Sequence, residues 1–128
     1  MVVDKTMSVL VVDDYKSMIR IVRGMLAQLG FNNVDEATCG PSALALIANK
    51  DYGLILSDWN MAPMTGLELL QRVRAEPRMQ KTPFLMVTAE AKAENVIAAR
   101  RAGVSNYVIK PFTTAVLKQK LSTVLGEL

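Results

Sequence analysis

Asp13, Asp14, Asp58, Thr88 and Lys110 each sit at the end of an apolar run, at 9–12, 54–57, 84–87 and 107–109. Carboxylates, a hydroxyl and an amine are poor fillers for a core, and their recurrence at run ends suggests one site assembled from several strands. Three carboxylates held close together repel one another unless a cation lies between them. The chain has no histidine and one cysteine, so an all-oxygen ligand set is what remains, and it suits a hard ion. Magnesium fits best: it binds through a few carboxylates, keeps waters and accepts phosphate oxygens. An ionised carboxylate needs no general base to act as a nucleophile, so Asp58 could attack phosphorus and become an acyl phosphate. Lys110 would neutralise charge on the transferred group, and the Thr88 hydroxyl would hydrogen-bond one of its oxygens.

These groups must be positioned by alternating strands and helices. Strands are expected at 8–13, 33–37, 53–58, 83–88 and 106–109. Helices are expected at 15–29, from Pro41 through Ala48, and at 65–75, 91–102 and 113–125. Met18, Ile19, Val22, Met25, Leu26 and Leu29 recur at helical spacing, and Gly30 is a natural stop. Strands apolar on both faces and alternating with helices imply a parallel sheet covered on both sides. Right-handed crossovers then gather every strand's C-terminal end on one edge. In the order 2-1-3-4-5 the ligand site lies beyond those ends, where the winding reverses. Strand 1 then sits beside strand 3, and Asp58 takes the centre of the row, with Asp13 and Asp14 on one side and Thr88 and Lys110 on the other. Each residue alone has a plainer reading: Asp13-Asp14 as a turn or helix cap, Asp58 as a turn cap, Thr88 as an ordinary strand residue, Lys110-Pro111 as a strand terminator.

At 128 residues and 51% hydrophobic, the chain is expected to be one compact domain, 1–128, with no output domain. No apolar stretch approaches the roughly 20 residues of a membrane span, and no signal peptide is evident, so a cytoplasmic location with no membrane insertion is expected. One cysteine, Cys39, excludes an internal disulfide and reads as a small half-buried residue. The net charge of +3 comes without a run of five basic residues, which argues for a solvated surface and no nucleic-acid partner. The eight methionines read as gap-filling core, except Met61 and Met64, which are expected to be exposed in the loop after Asp58. Trp59 would shield the site or simply pack.

The motifs Leu10-Val11-Val12-Asp13-Asp14, Ser57-Asp58-Trp59-Asn60-Met61, Gly66-Leu67-Glu68-Leu69-Leu70, Met86-Val87-Thr88-Ala89-Glu90-Ala91-Lys92 and Lys110-Pro111-Phe112-Thr113 resemble receiver domains of two-component response regulators. The likeness covers nearly the whole chain and is strongest to stand-alone chemotaxis members. The order 2-1-3-4-5 is also that of this flavodoxin-like fold family, so it is not a separate expectation. The resemblance implies that Asp58 is a phosphoacceptor served by a histidine kinase. It implies magnesium held by Asp13, Asp14, Asp58 and the backbone carbonyl of Asn60, with Thr88 and Lys110 on the phosphoryl group. It further implies a Tyr107 that swings inward as the Thr88 loop closes, Asn60 and Glu90 tuning hydrolysis, and a cis Lys110-Pro111 bond. The face formed by 91–101, 106–112 and 113–123 would bind a downstream protein, a flagellar motor switch among the candidates, and a phosphatase is a further implied partner.

The chain departs from the chemotaxis pattern at Thr38-Cys39-Gly40, where an acidic pair before glycine is usual. It departs again at Ala62 and Thr65 around Met64, and at Ala93 and Thr123 on the output face. A phosphate-sink or developmental regulator is the alternative role within the family. A small magnesium-dependent phosphatase or phosphotransferase is the alternative from the enzyme class, and it lacks a second acid and a cap. Flavodoxin-like cofactor binding fits the fold, but the carboxylates would repel a cofactor phosphate.

Overall fold

The structure of the protein, a computed structural model, describes residues 3–89 and 92–128. Its elements are β1 (Val9–Val12), α1 (Lys16–Gln28), β2 (Val34–Ala37), α2 (Gly40–Asn49), β3 (Leu54–Asp58), α3 (Gly66–Ala75), β4 (Phe84–Thr88), α4 (Ala93–Arg101), β5 (Asn106–Ile109) and α5 (Thr114–Leu125), with a 3₁₀ turn at Pro77–Met79. All strand pairs are parallel and the sheet order is β2-β1-β3-β4-β5, as the sequence leads one to expect. The element ends fall within about two residues of the expected ones, the usual uncertainty at fraying ends.

The pleat divides the core in two. Val9, Val11, Leu54, Leu56, Leu85, Val87 and Val108 pack with α1 and α5. Leu10, Val12, Ile55, Phe84 and Met86 pack with α2 and α3 on the other face. Successive strand residues point to opposite faces, so this parity also decides where the polar residue at each strand end points. Counting on by two, Asp13, Asp58 and Lys110 continue the α1/α5 set. Thr88 continues the opposite set, to whose core Tyr107 also packs.

Local signals terminate the helices. Gly30, at φ 98°, ends α1 in the left-handed conformation that glycine adopts without strain. The Gly30 amide donates to Ala27 O and the Phe31 amide to Leu26 O, at 3.0 and 2.8 Å. That is the paired hydrogen-bond closure of a Schellman stop, with buried Phe31 completing it. α3 opens with a capping box: Thr65 Oγ1 accepts from the Glu68 amide, and Glu68 Oε1 accepts from the Thr65 amide, both at 3.1 Å. Below α3, Arg74 donates to Gly103 O and Met79 O, both at 2.9 Å. One guanidinium thereby ties the end of α4 to the 3₁₀ turn and satisfies two carbonyls.

The loop after Asp58 differs from expectation. Met61 is buried, 7% exposed, and Met64 is half-buried, not exposed. The loop turns back on itself, with the Met61 and Gly66 amides both donating to Trp59 O. This drives Met61 into the α2/α3 layer and lays Met64 against Gly40. A cis bond at Ala62–Pro63, with no counterpart in the sequence reading, lies in the same loop. Among the described residues, no helix is long and apolar enough to cross a membrane.

Candidate functional site

Register places the strand-end residues on adjoining rungs. Val12 is level with Ser57 on β3, so Asp13 and Asp58 stand side by side. Asp58 is level with Val87, and Thr88 with Ile109. Thr88 therefore lies one rung beyond the carboxylates and Lys110 a rung beyond that. The main chain is fixed past the strand ends as well: the Asp13 amide donates to Ala37 O at 3.1 Å and the Lys110 amide to Thr88 O at 2.8 Å.

Asp13 and Asp58 are buried, 3% and 6% exposed, while Asp14 is exposed. Oxygens of the three carboxylates lie within 4.8 Å of one another. Lys110 reaches across from β5, with its Nζ 3.1 Å from Asp13 Oδ2 and 3.3 Å from Asp58 Oδ1. The second Asp13 oxygen accepts from the Tyr15 amide at 3.0 Å. Tyr15, not either aspartate, occupies the N-cap of α1, and Asp13 braces the entry to that helix from one step back. Asp58 Oδ1 also accepts from the Trp59 amide at 2.9 Å, and the Ser57 hydroxyl donates to Asp58 O at 3.0 Å.

Burial raises the Asp58 carboxyl above the usual carboxylate range. The Lys110 charge opposes that rise and the neighbouring Asp13 adds to it. A carboxyl whose pKa is higher folded than unfolded contributes stability when protonated, below its unfolded value, and loses it as pH rises through the folded value. Ionised Asp58 therefore works against folding at neutral pH. Asp58→Asn is expected to raise stability by on the order of 1 kcal/mol at pH 7, with the gain shrinking as pH falls toward 4. Urea unfolding at the two pH values measures it, and a destabilised Asp58→Asn protein at pH 7 would contradict the account.

Thr88 is fully buried, at the end of β4 on the α2/α3 face of the sheet. Tyr107 is half-buried on the same face, with its ring edge-on to Trp59 at 6.4 Å between centroids. Trp59 thus packs against both core and Tyr107. Asn60 is exposed in the loop directly after Trp59, and Glu90 lies outside the described residues. The Lys110–Pro111 bond is cis, as the resemblance implies. Cys39 is free and half-buried, its Sγ 3.2 Å from Ser42 Oγ.

The donor set suits a hard divalent cation. It is all oxygen, with two buried carboxylates and an exposed one at its mouth, and the Lys110 ammonium already supplies positive charge between two of them. Sequence reasoning named each of these groups, and quoted Gly66 only as part of the Gly66-Leu67-Glu68-Leu69-Leu70 motif, with no role of its own. Its importance is spatial and leaves no mark in residue type or periodicity.

The fold, the strand order and this acidic pocket are those of a signalling receiver. Residues 9–122 match the family model of the response regulator receiver domain, and the chain belongs to that family. It is 45% identical over 127 residues to the Chemotaxis protein CheY-3 of Vibrio cholerae, covering 99% of this chain and 98% of the relative. It is 47% identical over 118 residues to the Chemotaxis protein CheY of Pseudomonas aeruginosa, covering 92% and 95%. Among solved structures, chemotaxis protein CheY4 of Vibrio cholerae superposes with a TM-score of 0.88 at 34% identity, covering 94% of this chain and 99% of that one. The receiver domain of a Pseudomonas aeruginosa sensor histidine kinase, solved with a magnesium ion coordinated in its active-site cleft, superposes at 0.85 with 25% identity, covering 95% and 99%.

Proposed function

We propose that the protein is a single-domain, cytoplasmic response regulator that accepts a phosphoryl group on Asp58 and signals by phosphorylation-dependent protein binding, in chemotaxis. The observation that carries this reading is the buried Asp13–Asp58 pair bridged by Lys110, with Asp14 at its mouth. Asp58 is the nucleophile: a carboxylate oxygen forms a bond to phosphorus as the bond to the donor's leaving atom breaks. The electron pair departs with the leaving group, an imidazole nitrogen of a kinase or the acetate of acetyl phosphate. Asp13, Asp14, Asp58 and the Asn60 carbonyl would hold magnesium, which when bound neutralises charge on the transferring group.

Lys110 has a second task beside its ion pairs: its ammonium would contact a phosphoryl oxygen. The Thr88 hydroxyl would bind another oxygen, and because Thr88 shares a sheet face with Tyr107, its movement would be transmitted to that ring. Asn60 and Glu90 would govern how fast water reaches the bond. Ile97 on α4, Ile109 on β5 and Val116 on α5 are 50%, 39% and 37% exposed. They supply apolar contact for a downstream protein on the face opposite β2. We favour a motor switch as the target, since the relatives are named chemotaxis proteins. Thr123, where a lysine is usual, is engaged internally: Asn106 Nδ2 donates to its Oγ1 at 2.7 Å.

Incubation with acetyl phosphate and magnesium is expected to add one phosphate by intact mass, and Asp58→Asn is expected to stay unlabelled. Labelling of the asparagine variant, or none of the wild type, would sink the reading. Tighter binding of the phosphorylated form to a motor-switch peptide separates chemotaxis output from a phosphate sink.

A further inference from the structure

The first residue of α3 lies directly on the main chain of the nucleophile. A Cβ built on Gly66 would stand 2.1 Å from Asp58 O, 2.9 Å from Asp58 C and 2.9 Å from Trp59 Cα. These are backbone atoms, so no side-chain rotation relieves the overlap. Gly66 is not at positive φ, so the demand on this position is for space and not for an unusual conformation. The contact is also bonded, since the Gly66 amide donates to Trp59 O at 2.8 Å. The Thr65–Glu68 capping box holds the first turn of α3 in place from the other side. At the start of α2, a Cβ on Gly40 would meet Met64, two residues before Gly66, with Met64 Sδ at 2.6 Å and Met64 Cβ at 2.8 Å. There the obstacle is the Met64 side chain and not the main chain of Asp58.

We propose that Gly66 is a positioning residue for Asp58: the bare N-terminal turn of α3 seats the Asp58–Trp59 peptide and so sets the height of the Asp58 carboxylate against Asp13 and Lys110. The inference rests on the proposed role of Asp58, but its consequence for the carboxylate cluster can be read without phosphorylation. A methyl group at position 66 must lift the Asp58–Trp59 peptide or push α3 away. Either moves the carboxylate by a substantial fraction of an ångström, and displacements near 1 Å cost about a hundredfold in tightly oriented chemistry.

The test uses the full chain and magnesium alone as the probe, with the fluorescence of Trp59, the single tryptophan, as the readout. Gly66→Ala is expected to weaken magnesium binding at least about tenfold and to slow acetyl-phosphate labelling by up to about a hundredfold, with an unchanged far-UV spectrum. Gly24→Ala, where a Cβ meets nothing within 4 Å, is expected to leave both unchanged. Gly40→Ala is expected to weaken magnesium binding no more than about threefold, and Gly40→Ala/Met64→Gly to restore it, since that removes the three side-chain atoms nearest the new methyl group. A folded Gly66→Ala protein with wild-type magnesium affinity overturns the proposal, as does an equal loss in Gly40→Ala. Should Gly66→Ala fail to fold, Thr65→Ala decides, because it loosens the first turn of α3 without adding an atom near Asp58. An unchanged magnesium affinity in Thr65→Ala would then overturn the proposal, and a loss of about threefold supports it. If the wild type binds magnesium but is never labelled, the phosphoacceptor reading fails while the positioning inference is still decided by the metal titrations.

Discussion

Lys110→Ala is expected to lower the unfolding free energy by about 2 kcal/mol at pH 7 in a chelator, and by far less near pH 4. The ammonium is the one cation within ion-pair distance of the buried Asp13 and Asp58 carboxylates among the described residues. Breaking a buried pair by removing one partner leaves uncompensated charge and ordinarily costs 3–5 kcal/mol. The lysine side chain retains 19% exposure, so solvent screening reduces that figure. Acidity should repair the loss. Burial already raises Asp58, and the Lys110 charge is what opposes the rise. Without it the carboxyl climbs further, and the stability lost as pH rises through that value is regained on descending below it. Excess magnesium should repair the loss as well, by about 2.7 kcal/mol at a hundred times its dissociation constant. Urea unfolding at both pH values, with and without the metal, measures all of this. A deficit that is the same at pH 7 and pH 4 would show that Lys110 acts through packing and not through charge.

Phe84→Ala is expected to be the larger loss, about 3–5 kcal/mol, a large share of the 5–15 kcal/mol typical of a domain. Phe84 is fully buried in the α2/α3 layer. Its backbone is held at both polar atoms by Ser105, just ahead of β5: the Phe84 amide donates to Ser105 Oγ at 3.0 Å and the Ser105 amide to Phe84 O at 2.9 Å. Those bonds hold the sheet edge opposite the site, so the cavity should open far from Asp58. The folded fraction at low temperature should be labelled by acetyl phosphate at nearly the wild-type rate. A labelling rate that falls along with stability would mean that the edge distant from the site also governs its geometry.

The two losses differ in how visible they were in the sequence. Phe84 is one residue in an unbroken apolar run, and burial on both faces follows from that run. The strand-end groups were equally legible, because Asp13, Asp58, Thr88 and Lys110 are the wrong residues to continue such runs. Their grouping was not. Reading along the row suggests carboxylates on one side of Asp58 and phosphate-binding groups on the other. The pleat instead puts Lys110 with the carboxylates on the α1/α5 face and Thr88 with Tyr107 on the opposite face. A list of strand ends has no parity until the pairing register is known. The burial of Met61 was illegible for another reason. It depends on two amides converging on Trp59 O, a backbone event in a loop whose residues show no period. Gly66 was legible as part of a motif, but its approach to the Asp58 main chain was not, because an absent side chain announces nothing about what fills its place.

The rungs climb from Asp58 to Thr88 to Lys110, and each rung advances about 3.3 Å along the strand. The α-carbon of Lys110 therefore sits well above the carboxylates its ammonium touches, and four methylenes span the drop. Charge alone does not define what this position requires. A shorter amine would float over the pocket, and a guanidinium would arrive as a flat fork where a point contact is needed. The sheet acts as a staircase that selects a side chain by its reach.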